Sequence, residues 1–433
     1  MSARAVNGFF DSATETLDRR GLRDLQLRRA QALFDEILPR NVFYARKLGA
    51  DRKVRSWDEF RRLPFTSKSE FAGDQSANPP YGTNLTYPLE RYVKLHQTSG
   101  TTGTLPIRVL DTPESWAWWA RCWGYVYRGA GVGAGDRVFF AFSFGPFIGF
   151  WAAYEGALTV GAMTIPGGGM QTEQRLRSML DNEVTVLCCT PTYALRLSET
   201  AAQLGMDLAG SSVRTTVLAG EPGASVPGVR ARIEHAFGAR CHDHTGMTEL
   251  GATGFTCQQQ AGVHLIESEF IFEVVDPRTL QPVPNGERGE LVATNLGRPG
   301  MPLIRYRTGD LVQLDEEACA CGRTFARLDG GILGRADDML VVRGVNVFPS
   351  AIEGVLREFP EVSEFRIEVS TKRSMVELRV LLDPVPGSQA GLAEQVASRL
   401  HERLLLRVPC ELVPHGSLPR FELKARRLVH LSG

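Results

Sequence analysis

The sequence has no excess of charge of either sign, because 49 lysine and arginine residues balance 49 aspartate and glutamate residues among 433 positions. A balanced chain produces no long-range field that attracts nucleic acid or an anionic membrane. No stretch interleaves basic and aromatic side chains, which disfavours a nucleic-acid binder, including a zinc-dependent one. The length is too great for one ordinary core and predicts at least two domains.

Long apolar runs are also absent. The most apolar segment, residues 138–153, is short and is broken by Gly145, Pro146 and Gly149, so we expect no membrane span and no membrane partner. Residues 1–20 mix acidic and basic side chains without an apolar centre, which disfavours a signal peptide. Eight cysteines in such a chain indicate reduced thiols or a metal site. We therefore expect a cytoplasmic protein.

The order of predicted elements indicates an α/β fold. Helices are predicted at 22–38 and 46–63, and from residue 112 to 219 strands alternate with helices, which is typical of parallel sheets covered by helices. From about residue 270, short strands and turn signals predict a small antiparallel region. The remainder reads as a small α+β domain. We place the boundary so that 1–334 form the large N-terminal domain and 335–433 form the C-terminal domain.

One stretch consists almost entirely of hydroxyl side chains and glycine, Thr98-Ser99-Gly100-Thr101-Thr102-Gly103-Thr104. It lies between two predicted strands, at 92–95 and 107–110. Backbone N–H groups near glycine and short hydroxyl side chains can surround an anion, so the stretch predicts a loop that holds nucleotide phosphates. A flexible polar turn has the same composition. No Gly-Lys-Ser/Thr follows, which excludes an ordinary P-loop.

Further motifs follow this loop in a fixed order: Ala219-Gly220-Glu221-Pro222, Asp243-His244-Thr245-Gly246-Met247-Thr248-Glu249, Tyr306-Arg307-Thr308-Gly309-Asp310, Gly334-Arg335-Ala336-Asp337-Asp338 and Lys424. From about Phe43 to the end, the chain resembles the adenylate-forming enzymes. The narrower resemblance, to the phenylacetate–CoA ligase group, is carried by residues 304–310 and 337–349. The resemblance implies that a carboxylate attacks the α-phosphate of ATP, giving an acyl-adenylate and pyrophosphate, and that a thiol then attacks the acyl carbonyl.

The resemblance also implies a role for each motif. The Thr98 loop would hold the β- and γ-phosphates, Glu249 would bind Mg²⁺ and Asp310 would accept from the ribose hydroxyls. Lys424 would be the mobile cation at the reacting carboxylate. The adenine would lie against Gly220, Glu221, Pro222, Asp243, His244 and Thr245, next to Thr248. Arg335 would be catalytic, and Asp337 would lie in a hinge about which the small domain rotates between half-reactions.

Taken singly, these residues have ordinary structural explanations. Asp310 could be a turn aspartate, Glu249 a helix cap and Lys424 a solvated surface lysine. Three departures from the family pattern lower the expected affinity for ATP: Thr104 replaces the lysine of the phosphate loop, Leu423 precedes Lys424 where a small residue is usual, and Thr245 replaces a tyrosine at the adenine.

Four residues form a second group: Cys257, His264, Cys319 and Cys321. Cys319-Ala320-Cys321 is a tight knuckle that presents two sulfurs to one point, and antiparallel hairpins would bring the other two residues to it. Three thiolates and one imidazole suit a closed, structural zinc site. Three unrelated thiols and a surface histidine are the alternative. Some members of the resembled group carry a similar set. The other cysteines, Cys122, Cys188, Cys189, Cys241 and Cys410, are interpreted as core residues.

The acid is expected to be aromatic, such as phenylacetate, benzoate or an aminobenzoate. A flat pocket is predicted from Phe144, Phe147, Ile148, Trp151, Gly168 and Gly246, although aromatic residues at helical spacing also occur in plain cores. His242 and His244 would contact substrate or have structural roles, with titration near neutral pH.

The expected acceptor is CoA. A carrier-protein phosphopantetheine or an amine is the alternative, and a catalytically silent nucleotide-binding regulator is the alternative from another class. The resembled group suggests a homodimer.

Overall fold

The computed structural model describes residues 8–98, 106–146, 148–221, 223–336, 338, 340–342, 345–372, 375–388, 391–404, 406–421 and 427–431. Several residues named above lie outside these ranges: Ser99, Gly100, Thr101, Thr102, Gly103, Thr104, Phe147, Pro222, Asp337, Leu423 and Lys424.

The helices, in chain order, are α1 (Ser12–Glu15), α2 (Arg19–Ile37), α3 (Val42–Leu48), α4 (Trp57–Arg61), α5 (Lys68–Ala77), α6 (Pro113–Gly129), α7 (Ile148–Thr159), α8 (Thr172–Asp181), α9 (Pro191–Gln203), α10 (Pro227–Phe237), α11 (Pro349–Leu356) and α12 (Leu392–Leu404).

The strands are β1 (Lys94–Gln97), β2 (Arg108–Asp111), β3 (Arg137–Phe140), β4 (Met163–Pro166), β5 (Val186–Cys189), β6 (Thr215–Leu218), β7 (Arg240–Met247), β8 (Gly251–Thr256), β9 (Val263–Leu265), β10 (Phe270–Val275), β11 (Arg288–Asn295), β12 (Tyr306–Asp315), β13 (Arg327–Leu328), β14 (Gly334–Arg335), β15 (Leu340–Val342), β16 (Val345–Val347), β17 (Val362–Lys372), β18 (Met375–Pro384), β19 (Cys410–Leu412) and β20 (Leu428–His430).

Side-chain caps fix where several helices begin. The Thr112 side chain accepts from the Ser115 N–H at the start of α6, and the Ser56 side chain does the same for Glu59 at the start of α4. The helical region predicted over 46–63 is present as parts of two helices and not as one. Gly49 ends α3 with a φ of 93°, a left-handed conformation that glycine adopts without strain, and α4 begins only at Trp57.

The largest sheet is parallel at one end and antiparallel at the other. Strands run in the order β4-β3-β5-β6-β7 with parallel pairing, and β7 then pairs antiparallel with β8. The order continues through β9, β13, β12, β11 and β10, with β14 beside β12. The predicted combination of parallel and antiparallel sheet is confirmed. The change of direction comes at the β7–β8 hairpin, earlier than the predicted residue 270, and the two parts are continuous.

Helices cover both faces of the parallel half. Val138 and Phe140 of β3 pack into a core with α6 and α7, whereas Phe139 packs into a second core with α8, α9 and α10. Successive strand residues point to opposite faces, so a strand buried on both sides is apolar throughout. The carboxyl ends of these strands consequently share one edge of the sheet, where ligands of such folds gather.

A smaller sheet of order β19-β18-β17-β20 follows near the chain terminus. Helices α11 and α12 supply Ile352, Val396 and Leu400 to a core shared with Val380 of β18. We call β15–β20 with α11 and α12 the C-terminal unit. The predicted small α+β fold of this unit is confirmed.

Among the helices in the described ranges, none combines the length and apolar character that crossing a membrane requires.

Candidate active site

Asp310 and Arg335 form an ion pair between two neighbouring strands. They are register partners on β12 and β14, and the Arg335 Nη1 atom lies 2.9 Å from the Asp310 Oδ1 atom. The same nitrogen donates to the Thr308 carbonyl at 2.8 Å. Gly309 has a φ of 74°, a left-handed conformation that favours glycine, and the Arg335 guanidinium packs against it where a Cβ atom would lie 2.5 Å from Nη2. The predicted ribose carboxylate is therefore held at a fixed place.

A buried glutamate that sequence reasoning missed supports this turn. Glu290 of β11 accepts from the Gly309 N–H at 3.1 Å, and its other carboxylate oxygen lies 2.6 Å from Arg307 Nη2. The carboxylate thus ties the backbone before Asp310 to a cation on the same strand. Glu290 belongs to an ordinary strand pattern, so no sequence signal marks it.

Glu249 is buried at the end of the β7–β8 turn and lies beside a lysine. Its Oε1 atom is 3.1 Å from the Nζ atom of Lys68 and 3.5 Å from the Tyr306 hydroxyl, which donates to it. Lys68 reaches this place because Thr66 pairs with the start of β12, where the Arg307 N–H donates to the Thr66 carbonyl at 2.9 Å. Sequence reasoning missed Lys68, since its partner is distant in the chain.

A fully buried ion pair fixes the backbone of Glu249. Arg298 donates to both carboxylate oxygens of Asp111, at 2.7 and 2.8 Å, and donates to the Glu249 carbonyl at 2.7 Å. Neither charged side chain is exposed. Burial raises the pKa of Asp111, and the Arg298 charge opposes that rise. Asp111 ends β2, so the pair connects the β1–β2 hairpin to the position of Glu249.

Thr98 lies at the mouth of that hairpin. Its backbone N–H donates to the Ile107 carbonyl at 3.0 Å, and its hydroxyl accepts from the Ile107 N–H at 3.1 Å. The pairing of β1 with β2 confirms that the hydroxyl-rich stretch joins two strands. The rest of the predicted phosphate loop lies outside the described residues.

The Gly220-Glu221 motif follows β6 at the carboxyl edge of the sheet, as predicted. Gly220 has a φ of 94°, and a Glu221 carboxylate oxygen accepts from the Thr192 N–H at 2.8 Å. Asp243 is the last residue of β7 that pairs with β6. Its carboxylate accepts from the N–H groups of Ala224 and Ser225 at 2.7 and 2.5 Å. Burial raises the pKa of Asp243, and these hydrogen bonds oppose that rise. Asp243 therefore braces the loop that follows the motif.

The structure brings this loop to the segment that carries Arg335. A Cβ atom on Gly331 would lie 2.6 Å from the Ser225 hydroxyl, so the two backbones are close. Thr245 contacts the Thr253 hydroxyl at 3.2 Å, and the Thr248 carbonyl accepts from Arg298 at 3.5 Å. The predicted nucleotide residues within the described ranges therefore lie on connected segments at one edge.

The two histidines do not titrate near neutral pH. Burial lowers the pKa of both His242 and His244 to about 4, so both rings are neutral at pH 7 and the expectation of neutral-range titration is wrong. The His244 ring lies 4.2 Å from the Trp123 ring, and its Nδ1 atom lies 3.0 Å from the Gly254 carbonyl oxygen. Packing of this kind is a structural role.

Aromatic rings gather beyond the ends of β3 and β4. Phe144 lies 4.7 Å from Trp151, centroid to centroid, and a Cβ atom on Gly168 would lie 3.2 Å from the Phe144 ring. Trp151 is 37% exposed, whereas Ile148 is buried in the core. Met247, which follows Gly246, packs against the core that β3 shares with α6 and α7. Phe144, Trp151 and Gly168 thus share one surface, and Ile148 supports it from below.

The four predicted metal ligands converge. The ligand atoms of Cys257, His264, Cys319 and Cys321 all lie within 4.8 Å of one another. Cys257 and Cys319 sulfurs are 3.8 Å apart, and Cys321 Sγ is 3.5 Å from His264 Nε2. The His264 Nδ1 atom lies 3.0 Å from the Phe325 carbonyl oxygen, which directs Nε2 toward the sulfurs. The predicted hairpin approach is confirmed, since β8 pairs with β9 and β9 with β13.

The remaining cysteines agree with their interpretation as core residues, with one exception. Cys122, Cys188, Cys189 and Cys241 are buried, and Cys410 is half-buried.

Family comparisons give matches over most of the chain. Residues 56–297 match the family described as "AMP-binding enzyme", and residues 344–431 match "AMP-binding enzyme C-terminal domain". The phenylacetate-coenzyme A ligase of Thermus thermophilus is 34% identical, covering 96% of this chain and 98% of the relative. That of Escherichia coli is 32% identical, covering 96% of each.

Solved structures agree with these matches. 2-Hydroxyisobutyryl-CoA ligase, in the postadenylation state with 2-HIB-AMP, superposes with a TM-score of 0.92 at 29% identity, covering 99% of this chain and 94% of that one. The same ligase with 2-HIB-AMP and CoA in the thioesterification state gives a TM-score of 0.75 at 30% identity, with the same coverage of 99% and 94%.

Removing one member of the buried ion pair should destabilise the protein strongly. Arg298→Met leaves the Asp111 carboxylate buried without its cation, so we expect the free energy of unfolding to fall by about 3–5 kcal/mol. Equilibrium urea unfolding followed by tryptophan fluorescence measures this. The double variant Asp111→Leu/Arg298→Met should recover most of the loss because no charge is left unpaired. A single variant within about 1 kcal/mol of wild type would contradict the assignment.

Proposed function

Because this chain belongs to the AMP-binding enzymes, within their phenylacetate–CoA ligase group, we propose that it joins an aromatic carboxylic acid to coenzyme A. In the first step the acid's carboxylate attacks the α-phosphate of ATP and pyrophosphate leaves. In the second step the CoA thiol attacks the acyl-adenylate, AMP leaves and a proton is released. The observation that carries the proposal is the likeness of nearly the whole chain to phenylacetate ligases.

The nucleotide is assigned to the carboxyl edge of the sheet. Asp310, held by Arg335, accepts from the ribose hydroxyls, and the Gly220-Glu221 loop, braced by Asp243, lies against adenine with Pro222, His244, Thr245 and Thr248 around it. The loop beginning at Thr98 holds the β- and γ-phosphates through N–H and hydroxyl donors. Rigid carboxylates suit this task because their positions cost nothing to reorganise when the ligand arrives.

The negative charge of the phosphates would be met by Mg²⁺ and by Lys68. Glu249 would hold the Mg²⁺, because this hard cation prefers carboxylate oxygen. When bound, Mg²⁺ supplies positive charge between phosphate oxygens. Lys68 supplies a cation where Thr104 leaves the phosphate loop without its usual lysine. Lys424 stabilises the negative charge that develops at the α-phosphate.

The C-terminal unit is proposed to be mobile. The proposed domain boundary lies between residues 334 and 335, and Asp337 would lie in the hinge, so that the residues after it rotate between the half-reactions. Arg335 precedes the hinge on β14, which pairs with β12 of the large sheet, so its contact with Asp310 would hold the ribose carboxylate in place during that rotation.

The acyl group is assigned to the aromatic surface beyond β3 and β4. Phe144 and Trp151, whose rings are inclined at 60° to each other, form an apolar surface next to Gly168, where the absent side chain allows the Phe144 ring to approach the backbone. Phe147 and Gly246 complete the proposed lining, and buried Ile148 supports it. An aromatic acid could pack its ring against one of these aromatic side chains, a contact that a small branched acid lacks.

Pyrophosphate release across a panel of acids tests the proposed function. The panel contains phenylacetate, benzoate, 2-aminobenzoate, 2-hydroxyisobutyrate and octanoate, each with ATP and with or without CoA. We expect release with at least one aromatic acid and a strong increase when CoA is present. Product mass spectrometry then identifies the aryl-CoA thioester.

The other outcomes decide between the alternatives. If an aromatic acid gives pyrophosphate release and CoA does not increase that release, the acyl acceptor would be a carrier-protein thiol or an amine. Release with 2-hydroxyisobutyrate or octanoate alone would overturn the aromatic assignment. ATP binding without release for any acid would leave a nucleotide-binding regulator.

The ribose carboxylate gives a second prediction. Asp310→Asn removes a charged acceptor for two hydroxyl groups, so we expect the KM for ATP to rise about tenfold or more with a smaller change in kcat. Steady-state pyrophosphate release at varied ATP measures both constants. Asp315→Asn is the matched control because Asp315 lies on the same strand and pairs with Arg327 instead. An unchanged KM in Asp310→Asn would remove Asp310 from the ATP site.

We further propose that Cys257, His264, Cys319 and Cys321 bind structural zinc. Sulfurs bound tetrahedrally at 2.3 Å lie about 3.8 Å apart, which is the Cys257–Cys319 separation in this structure. The hydrogen bond from Cys257 lowers the pKa of the Cys321 thiol, which favours a thiolate at this point. Four protein ligands leave no position for water, so the role is to hold the hairpins together.

Zinc analysis tests this site. We expect about one zinc per chain by plasma mass spectrometry, and loss of most of it in Cys321→Ser together with a fall of about 10 °C in Tm. Cys410→Ser, which changes a half-buried cysteine outside the cluster, should keep both the zinc and the Tm. Wild-type protein that contains no zinc after purification with added zinc would refute the proposal.

A further inference from the structure

The C-terminal unit contacts the large domain through a polar seam on one face of α9. Thr192, Leu195, Arg196 and Glu199 of α9 line a cleft whose opposite wall includes Arg420, Phe421 and Arg427. Residues three, four and seven apart lie on one face of a helix, so a single face of α9 supplies these four side chains. The candidate active site uses none of these α9 side chains.

Arg427 is the buried centre of this seam. Within its own unit its Nε atom lies 2.6 Å from a Glu364 oxygen and its Nη1 atom lies 3.1 Å from a Glu353 oxygen. Across the seam its Nη2 atom donates to the Thr192 hydroxyl at 3.2 Å, and Nη1 lies 3.9 Å from the Glu221 carboxylate. The arginine is therefore held by its own unit and presented to the large domain.

A second arginine repeats this arrangement two helical turns along α9. Arg420 donates to the Ser363 carbonyl at 3.1 Å and to the Ser363 hydroxyl at 2.9 Å within its own unit. Its Nη1 atom lies 3.5 Å from a Glu199 oxygen across the seam. Both cross-seam contacts are polar and small, which suits surfaces that associate and separate.

A close approach between two backbone segments also forms part of the seam. A Cβ atom on Gly228 of α10 would lie 2.7 Å from the carbonyl oxygen of Arg357, at the end of α11. Because real Cβ atoms do not approach a carbonyl oxygen this closely, the two units meet here only while residue 228 is glycine. This contact involves no charge and is independent of the two arginines.

The orientation of the two units in this structure is nearer to one state of a relative than to another. The postadenylation form of 2-hydroxyisobutyryl-CoA ligase superposes much more closely than its thioesterification form. The seam therefore belongs to an orientation like that of the postadenylation form. Because the acyl-adenylate has just been made in that form, we take this to be the orientation in which the first step occurs.

We propose that the contacts of Arg427 with Thr192 and of Arg420 with Glu199 form a clasp that holds the C-terminal unit in the adenylate-forming orientation and opens before thioester formation. The proposal rests on the proposed function, because it assigns the clasp to one of its two half-reactions. Arg427 follows Lys424 by three residues, so the clasp restrains the chain that carries this lysine. Arg427 and Arg420 are thus positioning residues for the first step.

The test substitutes the two large-domain residues of the clasp, Thr192 and Glu199. Substituting Arg427 would leave Glu364 and Glu353 buried without a cation and would damage folding. Thr192→Val and Glu199→Gln instead leave every contact within the C-terminal unit in place. The Thr192 N–H that binds Glu221 is also kept. Thr200→Val is the matched control, since its hydroxyl bonds only the Arg196 carbonyl of the same helix.

Two half-reactions are measured separately. Adenylate formation is followed by phenylacetate-dependent exchange of labelled pyrophosphate into ATP, and thioester formation by mixing enzyme with synthetic phenylacetyl-adenylate and CoA. For Thr192→Val/Glu199→Gln we expect exchange to fall about tenfold while thioester formation stays within about twofold of wild type. Thr200→Val should change neither rate.

A steric variant tests the same idea without removing charge. Gly228→Ala should slow exchange selectively in the same way, whereas Gly73→Ala, where a Cβ atom meets nothing within 4 Å, should not. Equal loss of both half-reactions, or loss of neither, in the double variant would overturn the clasp. If wild-type enzyme does not use phenylacetate, both assays use the panel acid that gives pyrophosphate release and its adenylate. If wild-type enzyme catalyses neither half-reaction with any acid of the panel, the proposed function fails instead, which separates the two results.

Discussion

The buried ion pair between Arg298 and Asp111 is the constraint on which the site depends. Two opposite charges with no exposure to water must meet in one geometry, since either charge alone in the interior is costly. One arginine thereby fixes the end of β2 and the carbonyl of Glu249, two places far apart in sequence. Strand β2, which pairs with β1, and the carboxylate proposed to hold magnesium therefore share one support.

Much of the fold follows from patterns within short windows. Hydroxyl and proline signals at Thr112-Pro113 and apolar strand residues at 138–140 locate their elements because capping and burial act locally. The continuity of the sheet through the β7–β8 hairpin was not predictable in this way. It depends on pairing that residues 240–247 make with a parallel strand on one side and an antiparallel strand on the other.

The residues of the candidate site fall into the same two groups, those that a local motif marks and those that depend on long-range contacts. Asp310, Glu249 and the cysteine cluster could be named because ordered motifs mark them, whereas Lys68 and Glu290 could not, since an exposed lysine or a strand glutamate carries no local mark of its partner. The seam on α9 was missed for a related reason: Thr192 and Glu199 read as ordinary helix residues until the C-terminal unit is packed against them. The roles of these residues come from long-range contacts, and a single sequence does not record such contacts.

The attachment of the chain's beginning to its middle has a consequence for biosynthesis. Buried Glu15 near the amino terminus pairs with Arg323, 308 residues later, beside the cysteine knuckle. At about 5–20 residues per second, a ribosome needs roughly 15–60 s to produce that partner. During this interval the first helices can pack against α6, where Arg121 contacts Asp11, but the Glu15 ion pair cannot form. Buried Glu15 is consequently synthesised early and has no Arg323 to pair with until most of the chain has been made.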